Sequence, residues 1–132
     1  KQYTAESLKM VDSTVIWNFL CSETGHRMAA AQAEGRLHKE QQFVMGIPAR
    51  AVGPVDSDEL VVIQGIIDAY FEEDGELILV DYKTDRTWSS QVLLDHYKRQ
   101  LDYYERALNQ LTGKKVREKW IYSLTMQRAI PC

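Results

Sequence analysis

The stretch Val61-Val62-Ile63-Gln64-Gly65-Ile66-Ile67-Asp68-Ala69-Tyr70-Phe71-Glu72-Glu73-Asp74-Gly75-Glu76-Leu77-Ile78-Leu79-Val80-Asp81-Tyr82-Lys83 decides the fold. Two runs rich in β-branched and aromatic residues flank an Asp-Gly pair, the strongest short-range signal for a two-residue type I′ hairpin turn. With Asp74 and Gly75 in the turn, Glu73 faces Glu76, and counting back along both strands sets Asp68 directly opposite Asp81. Opposed side chains have Cβ atoms about 4.5–5.5 Å apart, and like charges there are destabilising. Lys83 follows Asp81 by two residues and so projects from the same face. Strict alternation adds Ile66, Tyr70, Leu77 and Leu79 to that face and gives Ile63, Ile67, Phe71, Ile78 and Val80 to the other. A strand pair apolar on both faces is normally covered on both sides.

Two carboxylates and a lysine on one buried face admit two readings. One is a cation site of the kind that cleaves phosphodiesters, with a metal ion relieving the repulsion between the acids. The other is a buried structural ion-pair cluster, which perturbs titratable groups in the same way. Leaving all three groups buried without partners would cost several kcal/mol per ion, on the order of what folding itself yields.

Outward from the hairpin, the chain reads as alternating elements. Thr4 to Met10 is a short helix, and Asp12 caps a second one carrying Val15, Ile16, Phe19 and Leu20 on one side. Ser22 caps a third, running through Met28 to Ala33 and ending at Gly35. Arg36 to Met45 is a strand broken by Gly46-Ile47-Pro48, and Ala51 to Asp58 is a loop. Beyond the hairpin, Thr87 or Ser89 opens a long helix that reaches about Leu111 and closes at Gly113. Leu94, Tyr97, Leu101, Tyr104, Leu108 and Leu111 form its apolar stripe. Gln100 lies on the same side, and a buried amide among tyrosines must find a hydrogen-bonding partner. Lys115 to Leu124 is the last strand, with Val116, Trp120, Tyr122 and Leu124 alternating against Arg117, Lys119 and Ile121. The sum is an α/β domain around a mixed sheet with helices on both faces.

At 132 residues the chain is one domain's worth, and its 45% hydrophobic and 27% charged content is that of a soluble globular protein. No apolar run approaches a membrane span and no cleavable signal is present, so no membrane partner is expected. Cys21 and Cys132 are too few for a four-cysteine metal site and read as free thiols in a reducing cytoplasm. No Gly-x-x-x-x-Gly-Lys loop is present, so ATP is not expected to bind here. The net charge is −3, but residues 1–84 hold 7 basic and 14 acidic side chains, whereas residues 85–132 hold 9 and 5. Lys98, Arg99 and Arg106 on the long helix, with Lys114, Lys115, Arg117 and Lys119 after it, form either a phosphate-tracking surface or an ordinary solvated face.

Three segments in order, Gly65-Ile66-Ile67-Asp68-Ala69, Asp81-Tyr82-Lys83-Thr84-Asp85-Arg86 and Gln100-Leu101-Asp102-Tyr103-Tyr104, resemble the nuclease motifs of the PD-(D/E)XK superfamily in its RecB-like branch. The likeness is greatest to the C-terminal nuclease domains of AddA subunits of bacterial AddAB helicase-nucleases, and it runs from the Glu40-to-Ala49 stretch to Tyr122. The resemblance implies a restriction-endonuclease-like core. It implies Asp68 and Asp81 as metal ligands, the Tyr82 carbonyl as a third, and Lys83 as the group that helps activate the attacking water. It also places Gln100 and Tyr104 along the DNA path, with Lys98 and Arg99 as further DNA contacts from the charge pattern.

An oxygen donor set favours Mg2+ or Mn2+ over zinc. The implied partners are DNA, the helicase portion of the same polypeptide and a second, AddB-like subunit. That second subunit carries a cysteine-ligated cluster, and the scarcity of cysteine here favours the AddA side. RecB-like nucleases usually add a metal-binding histidine from an upstream helix; His26, His38 and His96 fit no such setting, so that helix is expected outside this chain. Its absence would leave the metal held less tightly. The start at Lys1, without a methionine, is likewise that of a processed protein or of a fragment of something longer. Glu40 is a structural or site-supporting acid and Glu59 a solvated one. A catalytically inactive docking module and a stand-alone endonuclease of the same superfamily remain as alternatives.

Overall fold

The computed structural model describes residues 13–132. The expected Thr4-to-Met10 helix and the Asp12 cap lie outside the described residues. Helix α1 (Ser13–Cys21) and helix α2 (Glu23–Ala33) precede strand β1 (Leu37–Pro48), a single 3-10 turn (Ala49–Ala51), strands β2 (Leu60–Glu73) and β3 (Glu76–Lys83), helix α3 (Ser90–Thr112), and strands β4 (Val116–Ser123) and β5 (Arg128–Pro131). The strands form one sheet in the order β1-β2-β3-β4-β5. All neighbours are antiparallel except β3 and β4, which are parallel because α3 carries the chain from one end of the sheet back to the other.

The hairpin turn is the expected one. Asp74 and Gly75 both have positive φ, at 53° and 79°, as a type I′ turn requires, and Glu73 pairs with Glu76. Helix α2 is capped by the Ser22 hydroxyl, which accepts from Gly25 N at 3.1 Å, and α3 by Ser89, which accepts from Val92 N. Gly113 closes α3 in the left-handed conformation. Gly25 is where α2 meets the end of α1: a Cβ there would lie 2.1 Å from the Phe19 carbonyl oxygen.

Two cores sit on the two faces of the sheet. Leu93, Leu101, Tyr104 and Leu108 of α3 cover Tyr70, Leu77, Leu79 and Ile121 on one, and Met28 and Ala31 of α2 cover Phe71, Ile78, Val80 and Tyr122 on the other. Helices therefore flank both faces, as expected.

Several readings from the sequence need correction. The strand β1 is not broken at Gly46-Ile47-Pro48 but stays paired with β2 down to Leu60. It is an edge strand, where a proline's missing N–H costs no ladder bond. Alternation fails at Asp68: Ile63 and Ile67 pack with Tyr70 and Leu79 rather than on the opposite face. The β2–β3 pairing ends at Ala69↔Val80, and on the other side the β1–β2 pairing skips the position where Glu40 faces Asp68, Glu40 taking a φ of 53°. A register shift against Leu77 and Ile78 likewise moves Val116 to the Ile121 side, away from Trp120 and Tyr122. On α3 it is Leu93 that is fully buried, and Leu111 is exposed. On α1 only Val15 and Phe19 are half-buried, while Ile16 and Leu20 remain exposed. The short strand β5 has no counterpart in the sequence reading; it pairs with β4 across a turn at which Gln127 has positive φ.

Candidate metal centre

Asp81 and Lys83 stand on β3, the central strand of the sheet, and are fully buried; Asp68 on β2 is 9% exposed. The antiparallel register, continued one step past Ala69↔Val80, sets Asp68 across from Asp81. Because the ladder stops there, the Asp68 carboxylate takes over a strand's role and accepts the Tyr82 N–H at 2.9 Å. The expected grouping is therefore present, with Asp68, Asp81 and Lys83 on the face covered by α3.

Lys83 is held from three directions. Its Nζ lies 2.7 Å from Asp81 Oδ2, donates to Gln100 Oε1 at 2.8 Å, and sits 4.0 Å from the centroid of the Tyr97 ring. Gln100 is half-buried rather than buried, and its amide oxygen finds its hydrogen-bonding partner in Lys83. The tyrosine hydroxyl donates to both oxygens of Asp85, at 2.8 and 3.0 Å. Sequence reasoning misses the Lys83–Tyr97 contact and the role of Asp85. The available signal is the spacing of Tyr97 and Gln100, three apart on one helix face.

Charge at this site is out of balance. Burial, then hydrogen bonding and repulsion from Asp81, push the Asp68 carboxyl up to about 8, opposed by the Tyr82 N–H and the Lys83 charge. Burial and then the two carboxylates also raise the hydroxyls of Tyr82 and Tyr104, and burial with the Asp85 bond pushes Tyr97 up to about 12. All three phenols therefore stay protonated near neutrality. Neither oxygen of Asp81 receives a well-directed hydrogen bond among the described residues, although Oδ2 is in charge contact with Lys83. A buried carboxylate in that state fits a hard cation, and the donors at hand are oxygens. No third His, Cys, Asp or Glu joins the pair among the described residues.

The histidines stay apart from it: His26 is exposed, His38 stacks on Tyr70, and His96 packs its ring edge against Tyr97. Glu40 is exposed and so is Glu59.

A groove of about 790 Å³ runs between β1–β2 and α3, lined in part by Gln64, Gly65, His96, Arg99, Gln100 and Tyr104; it meets the Lys83 site at Gln100, and neither acid lines it. Tyr104 is buried against Phe43, edge to face at 5.6 Å. Arg99 lines both this groove and a neighbouring cleft that it shares with Lys98, Arg106 and Asp102, whereas Lys98 lines only that cleft. The basic run after α3 is largely neutralised, since Lys114 pairs with Glu72, Arg117 with Glu73, and Lys119 with Asp102 and Glu105.

Comparison with known proteins agrees with this geometry. A family model for the PD-(D/E)XK nuclease superfamily matches residues 4–129. The A-subunit of the ATP-dependent helicase/nuclease of Lachnoclostridium phytofermentans is 35% identical over 161 residues, covering 95% of this chain and 12% of that protein. Its namesake from Clostridium kluyveri is 41% identical over 124 residues, covering 90% of this chain and 10% of the relative. The chain thus spans about a tenth of the length of the curated relatives it matches. The crystal structure of SSO0001 superposes with a TM-score of 0.50 at 16% identity, covering 90% of this chain and 55% of that one, which is a likeness of fold.

Proposed function

Because this chain belongs to the PD-(D/E)XK nuclease superfamily, whose members generally use divalent metals, we propose that it hydrolyses DNA phosphodiester bonds with Mg2+ or Mn2+ bound at Asp68 and Asp81. The observation that carries the reading is the buried convergence of Asp68, Asp81 and Lys83, with the Asp81 oxygens lacking directed hydrogen bonds among the described residues. Asp68, Asp81 and the Tyr82 carbonyl are the groups that would hold the ion. Bound there, it would supply Lewis-acid stabilisation of the phosphoryl oxygen and a more acidic water.

The chain's own residues do the rest. Lys83 places a positive charge where negative charge develops on phosphorus, in a site from which its burial has removed competing water. Gln100 holds that ammonium by accepting a hydrogen bond from it through Oε1. Arg99, and with it Tyr104 and Gln64, lines the adjoining groove, which is the proposed path of the DNA strand. Lys98 is assigned to the flank of this path rather than to its floor.

Relatives named as A-subunits of ATP-dependent helicase/nucleases support a setting within a larger helicase-nuclease. In it the chain acts as one nuclease domain beside the helicase part of the same polypeptide and an AddB-like second subunit, in double-strand break repair and recombination. Exonuclease-like output is the reading that suits a strand fed by that motor. A weak net charge of −3 suits a nuclease supplied with DNA better than one that must capture it.

The test is cleavage of end-labelled single-stranded DNA by the full-length protein that carries this chain. Asp81→Ala and Lys83→Ala should each lower the single-turnover rate by at least about a hundredfold, with unwinding retained. Wild-type cleavage by either variant would overturn the site.

A further inference from the structure

We infer that Tyr97, fixed in place by Asp85, is a positioning residue for the Lys83 ammonium; the inference rests on the proposed catalytic role of Lys83. A lysine head is a point charge on a flexible four-carbon stem, so its direction has to be imposed from outside. Three neighbours impose it here: Asp81 Oδ2 at 2.7 Å, Gln100 Oε1 at 2.8 Å and the face of Tyr97 at 4.0 Å. Asp81 is shared with the candidate metal site. Gln100 and Tyr97 are the two contacts that belong to the lysine side alone, and they stand on one face of α3.

The ring face attracts the ammonium through its quadrupole, and more strongly when the pair is desolvated. Lys83 is fully buried, so this contact operates in that stronger regime. The far end of the ring is anchored in turn. Its hydroxyl donates to both Asp85 oxygens at 2.8 and 3.0 Å, which fixes the ring plane and shifts phenol electron density toward the ring. Asp85 itself is tied to the β4–β5 turn, where the Thr125 hydroxyl donates to its carbonyl at 2.8 Å. The Leu124 N–H donates to the Lys83 carbonyl at 2.9 Å, so both ends of the relay hang on the same turn. A tyrosine that served only as a core aromatic would need neither its hydroxyl bond nor a cation over its face.

The experiment compares Tyr97→Leu, Tyr97→Phe and Asp85→Ala in the full-length protein that carries this chain, with Lys83→Ala as reference. Leucine keeps apolar bulk but has no ring face, and should lower kcat about tenfold while KM moves less than about twofold. Phenylalanine keeps the face and loses the anchor, so Tyr97→Phe and Asp85→Ala should each lower kcat about threefold, between the unmutated enzyme and the leucine variant.

A second readout is independent of cleavage. In carbon–proton NMR spectra of the 132-residue chain, the Lys83 ε-methylene should resonate upfield of exposed lysines through the Tyr97 ring current. That shift should shrink in Tyr97→Phe, which keeps the ring but loses its anchor, and vanish in Tyr97→Leu. Because Asp85 is only half-buried, Asp85→Ala keeps the test alive should the leucine variant fold poorly; there the shift should shrink. An unshifted Lys83 in the unmutated chain, or a full kcat for Tyr97→Leu, overturns the inference. So do equal losses for leucine and phenylalanine that track melting temperature. If Lys83→Ala itself cleaves normally, it is the catalytic reading of the site that falls instead.

Discussion

Asp68 and Asp81 face each other with a single lysine, paired to Asp81, beside them, so without a metal Asp68 holds its proton to unusually high pH. The consequence is a pH dependence with a definite sign. Asp68 has its carboxyl pushed up to about 8 in the folded chain from the ordinary 3.8. Between those limits the folded state binds more protons than the unfolded one, and the slope of unfolding free energy against pH is negative. The stability due to this group is complete below the unfolded value and is lost as pH rises through the folded one. Urea unfolding in chelator should therefore show this contribution falling from about pH 5 to about pH 8, and Asp68→Asn should flatten the slope. An identical slope in both proteins would mean that Asp68 titrates as an ordinary acid. The residues of this site were legible in the sequence because a two-residue turn sets the register, and register alone brings Asp68 and Asp81 together. Tyr97 and Asp85 were not, since a ring face meeting an ammonium depends on how closely α3 approaches the end of β3.

At the scale of elements, α3 does most to close the site, because Tyr97, Gln100 and Tyr104 all stand on it. Its position rests on Leu93, Leu101 and Leu108, each at most 1% exposed. Leu101→Ala should cost about 2–5 kcal/mol, whereas Leu111→Ala, on the exposed side, should stay within about 0.5 kcal/mol. Chemical denaturation of the two variants measures both, and equal losses would show that the helix docks on a different face. Removing the Ser89 cap by Ser89→Ala should cost about 1 kcal/mol, read in the same way. Helix ends and turns were legible because Ser22, Ser89, Gly113 and Asp74-Gly75 have local chemical causes. Face assignments were legible only between irregularities. Alternation carries no warning of the lost pairing at Asp68 and Glu40, or of the register shift beside Val116, because both depend on neighbouring strands. The strand β5 was hidden for a related reason: its four residues, Arg128–Pro131, are too short to show a period, and only pairing with β4 makes them a strand.

For the whole molecule, the restriction-endonuclease-like sheet brings two acids and a lysine together, but the described residues offer no further His, Cys, Asp or Glu beside them. A metal held by fewer protein ligands is held less tightly and oriented less accurately. The 132-residue chain alone should accordingly cleave single-stranded DNA slowly or not at all with Mg2+, while a longer polypeptide containing it should be active. Rapid cleavage by the isolated chain would show that the groups described here suffice. The same limit shapes a test that needs no turnover. Any ligand that binds the folded chain and not the unfolded one raises its melting temperature, by an amount set by its concentration relative to Kd. Millimolar Mn2+ or Mg2+ should therefore raise the melting temperature of the unmutated chain and leave Asp81→Ala unmoved. Without metal and near neutral pH, where Asp68 keeps its proton, Asp81→Ala should melt lower than the unmutated chain, because it opens a cavity and removes the carboxylate 2.7 Å from the buried Lys83 ammonium. The two halves of this prediction are coupled. A variant that still responds to metal would mean that Asp81 is only a structural partner of Lys83, and the chain would then be a nuclease-like module that docks without cutting.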